Sequence, residues 1–172
     1  MGLFIFLLVI PLTSCGGGAM RAEAALKNFS KQIERGNLDN LRLRIYYFNP
    51  NFLTPFPVSA EGLVNAEGDD RVQKFVIDGN SLEEHIGLLK QVGNITLIPV
   101  KDKSYIDARI YYVFETNKGN KIFDVAMWGD NNSIYVNGFE VEANDIFYDL
   151  IIPFLPEHGA NIMEGFKRGK QQ

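Results

Sequence analysis

The sequence predicts an α+β fold, in which a mainly antiparallel sheet of about six strands carries about three helices, packed largely on one face. The first observation behind this prediction is that apolar and polar side chains alternate along three segments of residues 105–136, which short polar turns separate. The second is that apolar residues recur at helical spacing in the flanking segments. Short turns join antiparallel neighbours, so the sheet should be mainly antiparallel.

The alternating region also predicts which side chains form the core. Phe123, Val125 and Met127 share one face of their strand, and Trp128 lies on the other. A sheet that is covered on one side buries only one of these faces, and we expect it to be the face of Phe123. Asn137-Gly138 then supplies two residues that tolerate the positive φ angles of a tight hairpin turn.

Spacing and capping signals predict the helices. Gly36 can end the first, the capping box Ser81-Leu82-Glu83-Glu84 begins the second, and Asn144 can cap the third. Ser59 is expected to cap one further helical turn. The predicted ranges are Ala19–Arg35, Ser81–Val92 and Asp145–Ile152.

Three further strands are predicted outside the alternating region. The residues from Asn49 to Val58 contain three prolines, which remove backbone donors, so this stretch is expected to be an extended connection instead. Pro99 indicates that the strand containing it lies at an edge of the sheet or ends there. The three strands are Leu41–Phe48, Val72–Ile77 and Ile95–Val100, and the first strand of the alternating region is Ile106–Glu115.

The charge and the composition limit the classes of partner. The net charge of −4 and the isoelectric point near 5.2 argue against nucleic acid, whose binders usually carry a basic face. The single cysteine cannot form an internal disulfide, and His85 and His158 are far apart in sequence. We therefore expect no metal site of the usual zinc type and no cofactor.

The sequence predicts a targeting signal at the amino terminus. Leu3–Leu12 is an apolar run that is too short for a membrane-spanning helix, which needs ~20 residues, but it suits the core of a signal peptide. The next residues, Leu12-Thr13-Ser14-Cys15, resemble a bacterial lipobox. An ordinary secretory signal, or a buried apolar segment with an unrelated cysteine, is the alternative.

The lipobox resemblance implies a bacterial lipoprotein. Residues 1–14 would be removed, Cys15 would be lipidated, and the protein would be anchored to membrane lipid on the extracytoplasmic face of the cell membrane. Two acyl chains suffice for stable attachment. Residues 15–18 would then join the anchor to the domain through a flexible glycine tether.

Three phrases in the body of the chain carry a second resemblance. They are Leu43-Arg44-Ile45-Tyr46-Tyr47, Leu82-Glu83-Glu84-His85-Ile86 and Ile146-Phe147-Tyr148-Asp149-Leu150. With these phrases, the body of the chain resembles small uncharacterised lipoproteins of Gram-positive bacteria. This resemblance implies no activity and transfers no functional residue except Cys15. A single domain is expected over residues 19–156, followed by a weakly ordered tail over residues 157–172.

One candidate binding surface lies on the second face of the sheet. Arg42, Arg44 and Tyr46 share a face of one strand, while Arg109 and Tyr111 share a face of another. If these strands are neighbours, the side chains form a patch that can stack on and hydrogen-bond an anionic or carbohydrate partner. The alternative is a solvated sheet face on which arginine packs against tyrosine. In that case Glu115 supplies the counter-charge.

A second candidate is the proline-rich connection, which carries Phe52 and Phe56. Loops provide binding residues more often than cores do. The alternative is that these two phenylalanines only cap the edge of the sheet.

No catalytic motif accompanies these surfaces. The chain contains no GxSxG elbow, P-loop, HExxH or GxGxxG after a strand. We therefore expect a non-catalytic binding module for an envelope protein or an anionic cell-wall polymer. The alternatives are a small envelope-acting hydrolase that uses acidic residues, and a sensor or inhibitory module. A deep pocket with two carboxylates ~5–10 Å apart would favour the hydrolase.

Overall fold

The computed structural model describes residues 17–49, 51–66, 68–101, 104–127 and 133–169. Within these ranges, six strands form one antiparallel sheet in the order β2-β1-β3-β4-β5-β6, as the predicted fold class requires. The strands are β1 Leu41–Phe48, β2 Val72–Asp78, β3 Ile110–Thr116, β4 Lys121–Met127, β5 Ile134–Val136 and β6 Phe139–Val141.

Six α-helices occur in the described ranges, which is more than the predicted three. None of them is both long enough and apolar enough to cross a bilayer. They are α1 Gly17–Glu34, α2 Ala60–Asn65, α3 Gly79–Glu83, α4 Ile86–Gln91, α5 Ile146–Asp149 and α6 Glu157–Gly169. Short 3₁₀ turns cover Leu38–Asn40, Val92–Asn94 and Ile152–Phe154.

The helix predicted over Ser81–Val92 is two helices. The carboxylate of Asp78 accepts a hydrogen bond from the Ser81 N–H at 3.1 Å, so α3 begins at Gly79 rather than at the expected capping box. Only glycine fits at position 79, because an added Cβ would lie 1.9 Å from the Leu38 carbonyl oxygen. The helix is interrupted at His85, whose ring packs edge-on against Phe154 at 4.9 Å.

The tail predicted for residues 157–172 is helical over most of its length. Met163 of α6 is 1% exposed, and Ile162 and Phe166 pack against the same core. Gly159 lies close to β1, where an added Cβ would be in ordinary van der Waals contact with the Tyr47 ring at 3.5 Å. The helix forms because its apolar residues recur at helical spacing and meet the body of the protein.

The predicted glycine tether is shorter than expected, because two of its residues are also helical. Gly17 and Gly18 belong to α1, so at most Gly16 separates Cys15 from the first helix. Residues 1–14, Cys15 and Gly16 lie outside the described residues. The lipidation site therefore stays a prediction.

The main core lies on one face of the sheet. Phe123, Val125 and Met127 are buried there, which confirms the face chosen from the alternation. The Phe29 ring of α1 lies 4.7 Å from the Phe114 ring and 5.0 Å from the Phe123 ring. Trp128 lies outside the described residues. Side chains from α1, α3, α4, α5 and α6 complete this core.

The second face is covered only in part. Of the described helices, α2 is the one that packs there, with Leu63 against a smaller cluster that includes Tyr46, Phe48 and Tyr135. Ser59 caps α2 as predicted, because its Oγ accepts a hydrogen bond from the Gly62 N–H at 2.9 Å. Since α2 has only six residues, cavities lined by the half-buried Tyr111 remain beside it on this face.

Two predicted strands differ in the structure. Ile95–Val100 makes a single bridge, between Pro99 and Val141, because proline has no N–H with which to continue a ladder. The strand expected from Ile106 begins at Ile110. The alternation fails before that point, where Ile106 and Ala108 join the second-face cluster.

The predicted Asn137-Gly138 turn is confirmed, with φ angles of 50° and 74°. The turn leads into β6, a strand that was not predicted from the sequence. A register irregularity in the β3–β4 pair then places Lys121 opposite Glu115. As a result Ile122, rather than Lys121, packs against the main core.

Candidate functional site

The open part of the second face forms a concave site. Two adjoining cavities of about 420 Å³ and 190 Å³ share Val64, Tyr111 and Lys121 as lining residues. We call this combined site the second-face groove. Its other principal lining residues are Arg44, Tyr46, Asp124, Tyr135 and Asn137.

Strand pairing brings three of the five predicted binding residues, Arg44, Tyr46 and Tyr111, together in this groove. As the sequence-based hypothesis required, β1 and β3 are neighbours, and Tyr46 lies directly opposite Tyr111. Their ring centroids are 6.0 Å apart. Tyr46 is only 1% exposed, so it supports the floor, whereas Tyr111 is half-buried and lines both cavities.

The charges in and beside the groove are paired. Arg44 donates a hydrogen bond to Glu115, and Arg42 lies 3.8 Å from the same carboxylate, which is 2% exposed. Lys121 Nζ lies 2.6 Å from Asp124 Oδ2. The positive patch predicted from Arg42 and Arg44 is therefore partly neutralised by the single counter-charge of Glu115, the residue that the alternative named.

Tyr111 is held as a hydrogen-bond donor. Its hydroxyl lies 3.2 Å from Asp124 Oδ2, the same oxygen that Lys121 contacts. Burial, together with the negative charge of Asp124, raises the pKa of the Tyr111 hydroxyl well above its ordinary value. The phenol is therefore protonated at neutral pH, and the Asp124 carboxylate has two donors rather than being free to act as a base.

Arg109 is not part of this groove. Its side chain is 7% exposed, and its Nη2 donates to Asp107 Oδ2 and to Thr54 Oγ1, each at 3.0 Å. The guanidinium also lies 5.1 Å from the centroid of the Phe48 ring. The expectation that Arg109 is an exposed binding residue is wrong, because the connection after β1 folds over it.

Asp107 and Arg109 instead hold the proline-rich connection in place. Asp107 Oδ1 accepts a hydrogen bond from the Val58 N–H at 2.7 Å, and the Ala108 N–H donates to the Val58 carbonyl at 2.6 Å. Arg109 holds the middle of the connection through Thr54. The buried ion pair thus holds the connection at two points, Thr54 and Val58.

The two candidate loop residues are exposed to different degrees. Phe52 is 53% exposed, and its ring packs edge-on against Phe48 at 6.3 Å, so it partly caps the end of β1. Phe56 is 77% exposed and Leu53 is 96% exposed. The connection therefore presents apolar side chains on a well-anchored backbone.

Several groove residues were missed by the sequence reading. Lys121, Asp124, Tyr135 and Asn137 line the larger cavity, and none was predicted from the sequence to be a binding residue. A usable signal was Asp124, because a carboxylate in the middle of an apolar strand usually has a specific partner.

No metal site is evident in the part of the chain that the structure describes, since no three His, Cys, Asp or Glu side chains there are grouped to hold an ion. No protein-family model, curated protein or solved structure matches this chain. The fold class and the second-face groove are therefore the features from which a function can be inferred.

Proposed function

We propose that this protein is a lipid-anchored, extracytoplasmic binding module that holds a component of the cell envelope without catalysis of its own. The observation that carries the binding role is the second-face groove, which lies on the face of the sheet opposite the main core. The lipobox-like Leu12-Thr13-Ser14-Cys15 supports the anchoring.

The groove suits a polar, uncharged segment of a ligand. Its larger cavity, about 420 Å³, lies in the usual range for small-ligand sites. Tyr111 offers a ring face, and Asn137 offers an amide at the rim. Because the nearby cations are paired with Glu115 and Asp124, nothing there selects strongly for an anion.

These properties favour a sugar ring of a cell-wall polymer over the anionic groups of such a polymer. A sugar presents apolar ring faces together with hydroxyl groups, and the groove offers an aromatic surface beside polar groups. An extended segment of an envelope protein is the competing ligand, and it would use the same surface.

Replacing Tyr111 with Ala should weaken binding to wall glycan about tenfold, which corresponds to the loss of ~1.4 kcal/mol of interaction. The full-length protein, purified in detergent, would be titrated with glycan fragments prepared from cell walls.

Tyr105→Ala is the matched control, since Tyr105 is 91% exposed and lies outside the groove lining. Tyr111→Phe keeps the packing of the ring, so it separates an effect on glycan binding from an effect on folding. Equal glycan binding by all four proteins, wild type included, would refute the groove as the site.

Replacing Cys15 with Ala should abolish lipid attachment and leave the unprocessed precursor, because the lipid is carried by the cysteine sulfur. Cells would be grown with labelled palmitate, and the protein would be followed on gels. Ser14→Ala is the control, since it keeps a small residue before the cysteine and should be processed normally. A Cys15→Ala protein that still took up label and matured would show that Cys15 is not the lipidation site.

A further inference from the structure

The start of α1 lies against one edge of the sheet. Gly18 sits on the ring of Phe139, the first residue of β6, so closely that an added Cβ would be 2.3 Å from Phe139 Cδ2. In the strand order, β6 is at one end of the sheet and β2 is at the other. The amino-terminal end of the described chain is therefore placed beside the β6 edge.

A second segment joins the same edge. The Leu97 N–H donates to the carboxylate of Glu23 in α1 at 2.8 Å. The next residue, Ile98, accepts a hydrogen bond from the Glu142 N–H at 2.8 Å, and Pro99 bridges to Val141 of β6. Residues 97–100, the first turns of α1 and β6 thus form one continuous surface, which we call the β6 edge.

Apolar and basic side chains project from this surface. Met20 of α1 is 72% exposed and Ile98 is 52% exposed. Arg21 and Lys101 are exposed beside them, and Glu142 is an exposed carboxylate nearby. Exposed apolar residues accompanied by cations are the pattern of a surface that contacts lipid head groups.

The length of the chain decides which partner can cover this surface. Cys15 precedes Gly17 by two residues, and each residue spans at most ~3.6 Å, so the lipidated residue lies within ~7 Å of the start of α1. Because Gly17 and Gly18 are helical, there is no long tether that would let the domain turn freely. A bilayer that holds the lipid must therefore lie close to the β6 edge.

We propose that the β6 edge rests on the bilayer that carries the lipid of Cys15, with Met20 and Ile98 at head-group level and β2 directed away from the membrane. This orientation rests on the proposed lipid anchoring. It leaves the opposite edge of the sheet, which belongs to β2, towards the envelope.

A fluorescent label at each edge tests the orientation. Ile98→Cys and Val76→Cys would each be labelled in the lipidated full-length protein, where the lipid occupies the native cysteine. Val76 lies in β2 and is 56% exposed, so it matches Ile98 in exposure but lies at the opposite edge. The proteins would be placed in phosphatidylglycerol-containing vesicles with a head-group quencher, and we expect several-fold stronger quenching at position 98.

The outcomes separate the orientation from the anchoring. Protein that floats with the vesicles but is quenched equally at both positions, or more at position 76, would overturn the proposed orientation and leave the anchoring intact. Protein that carries no lipid and does not float would refute the anchoring, and the orientation with it.

Discussion

Replacing Phe123 with Ala is expected to lower the free energy of unfolding by ~3–5 kcal/mol. Phe123 is fully buried, and its ring stacks on Phe114 at 5.0 Å and meets Phe29 of α1 edge-on at the same distance. Its removal leaves a cavity at the place where β3, β4 and α1 meet, which a close-packed interior can fill only in part. Urea denaturation followed by circular dichroism would measure the change.

Phe56→Ala is the matched control for this substitution. It removes the same side chain from a position that is 77% exposed, so the free energy of unfolding should change by less than ~0.5 kcal/mol. If both variants had the same stability as the wild type, the face of Phe123 would not be the core.

Replacing Arg109 with Ala is expected to lower the free energy of unfolding by ~3–5 kcal/mol, because it leaves the buried carboxylate of Asp107 without its counter-charge. The Arg109 and Asp107 side chains are only 7% and 13% exposed, so water can solvate the unpaired carboxylate only slightly. The sequence predicted that Arg44 and Arg109 share a binding patch on an open sheet face, where substitutions hardly affect folding. For Arg109 that expectation is wrong, since the residue lies beneath the connection after β1.

A double-mutant cycle with Asp107→Ala would isolate the interaction between the two residues. Removing both charges should cost less than the sum of the single substitutions, because no unpaired buried charge is left. The same variants should make residues 51–58 easier to cleave by protease, since Thr54 and Val58 lose their partners. Strictly additive costs with an unchanged cleavage rate would contradict this role of the ion pair.

The arginine and tyrosine residues that the sequence placed on the second face have two different roles in the structure. Arg44 and Tyr111 contribute to the groove, whereas Arg109, on the same face of the sheet, supports a loop. The difference is what lies above each residue. The six-residue helix α2 leaves the groove open, while the Pro-rich connection covers Arg109.

The sequence by itself determined the fold class, the limits of β1 and the buried face of β4. These properties depend on neighbouring residues: alternation along a strand decides which side chains share a face, and Asn137-Gly138 can adopt the φ angles that a hairpin turn requires. Such local signals predict Phe123 as a core residue without information about which side chains pack against it.

Only the tertiary structure decided which polar side chains meet water. Alternation places Arg109 on the second face, but residues from a distant part of the chain bury it. A register irregularity moves Lys121 to the groove, and α6 forms by docking Met163 on a core made elsewhere. Each outcome depends on contacts between segments far apart in sequence, whose burial free energy outweighs local preference.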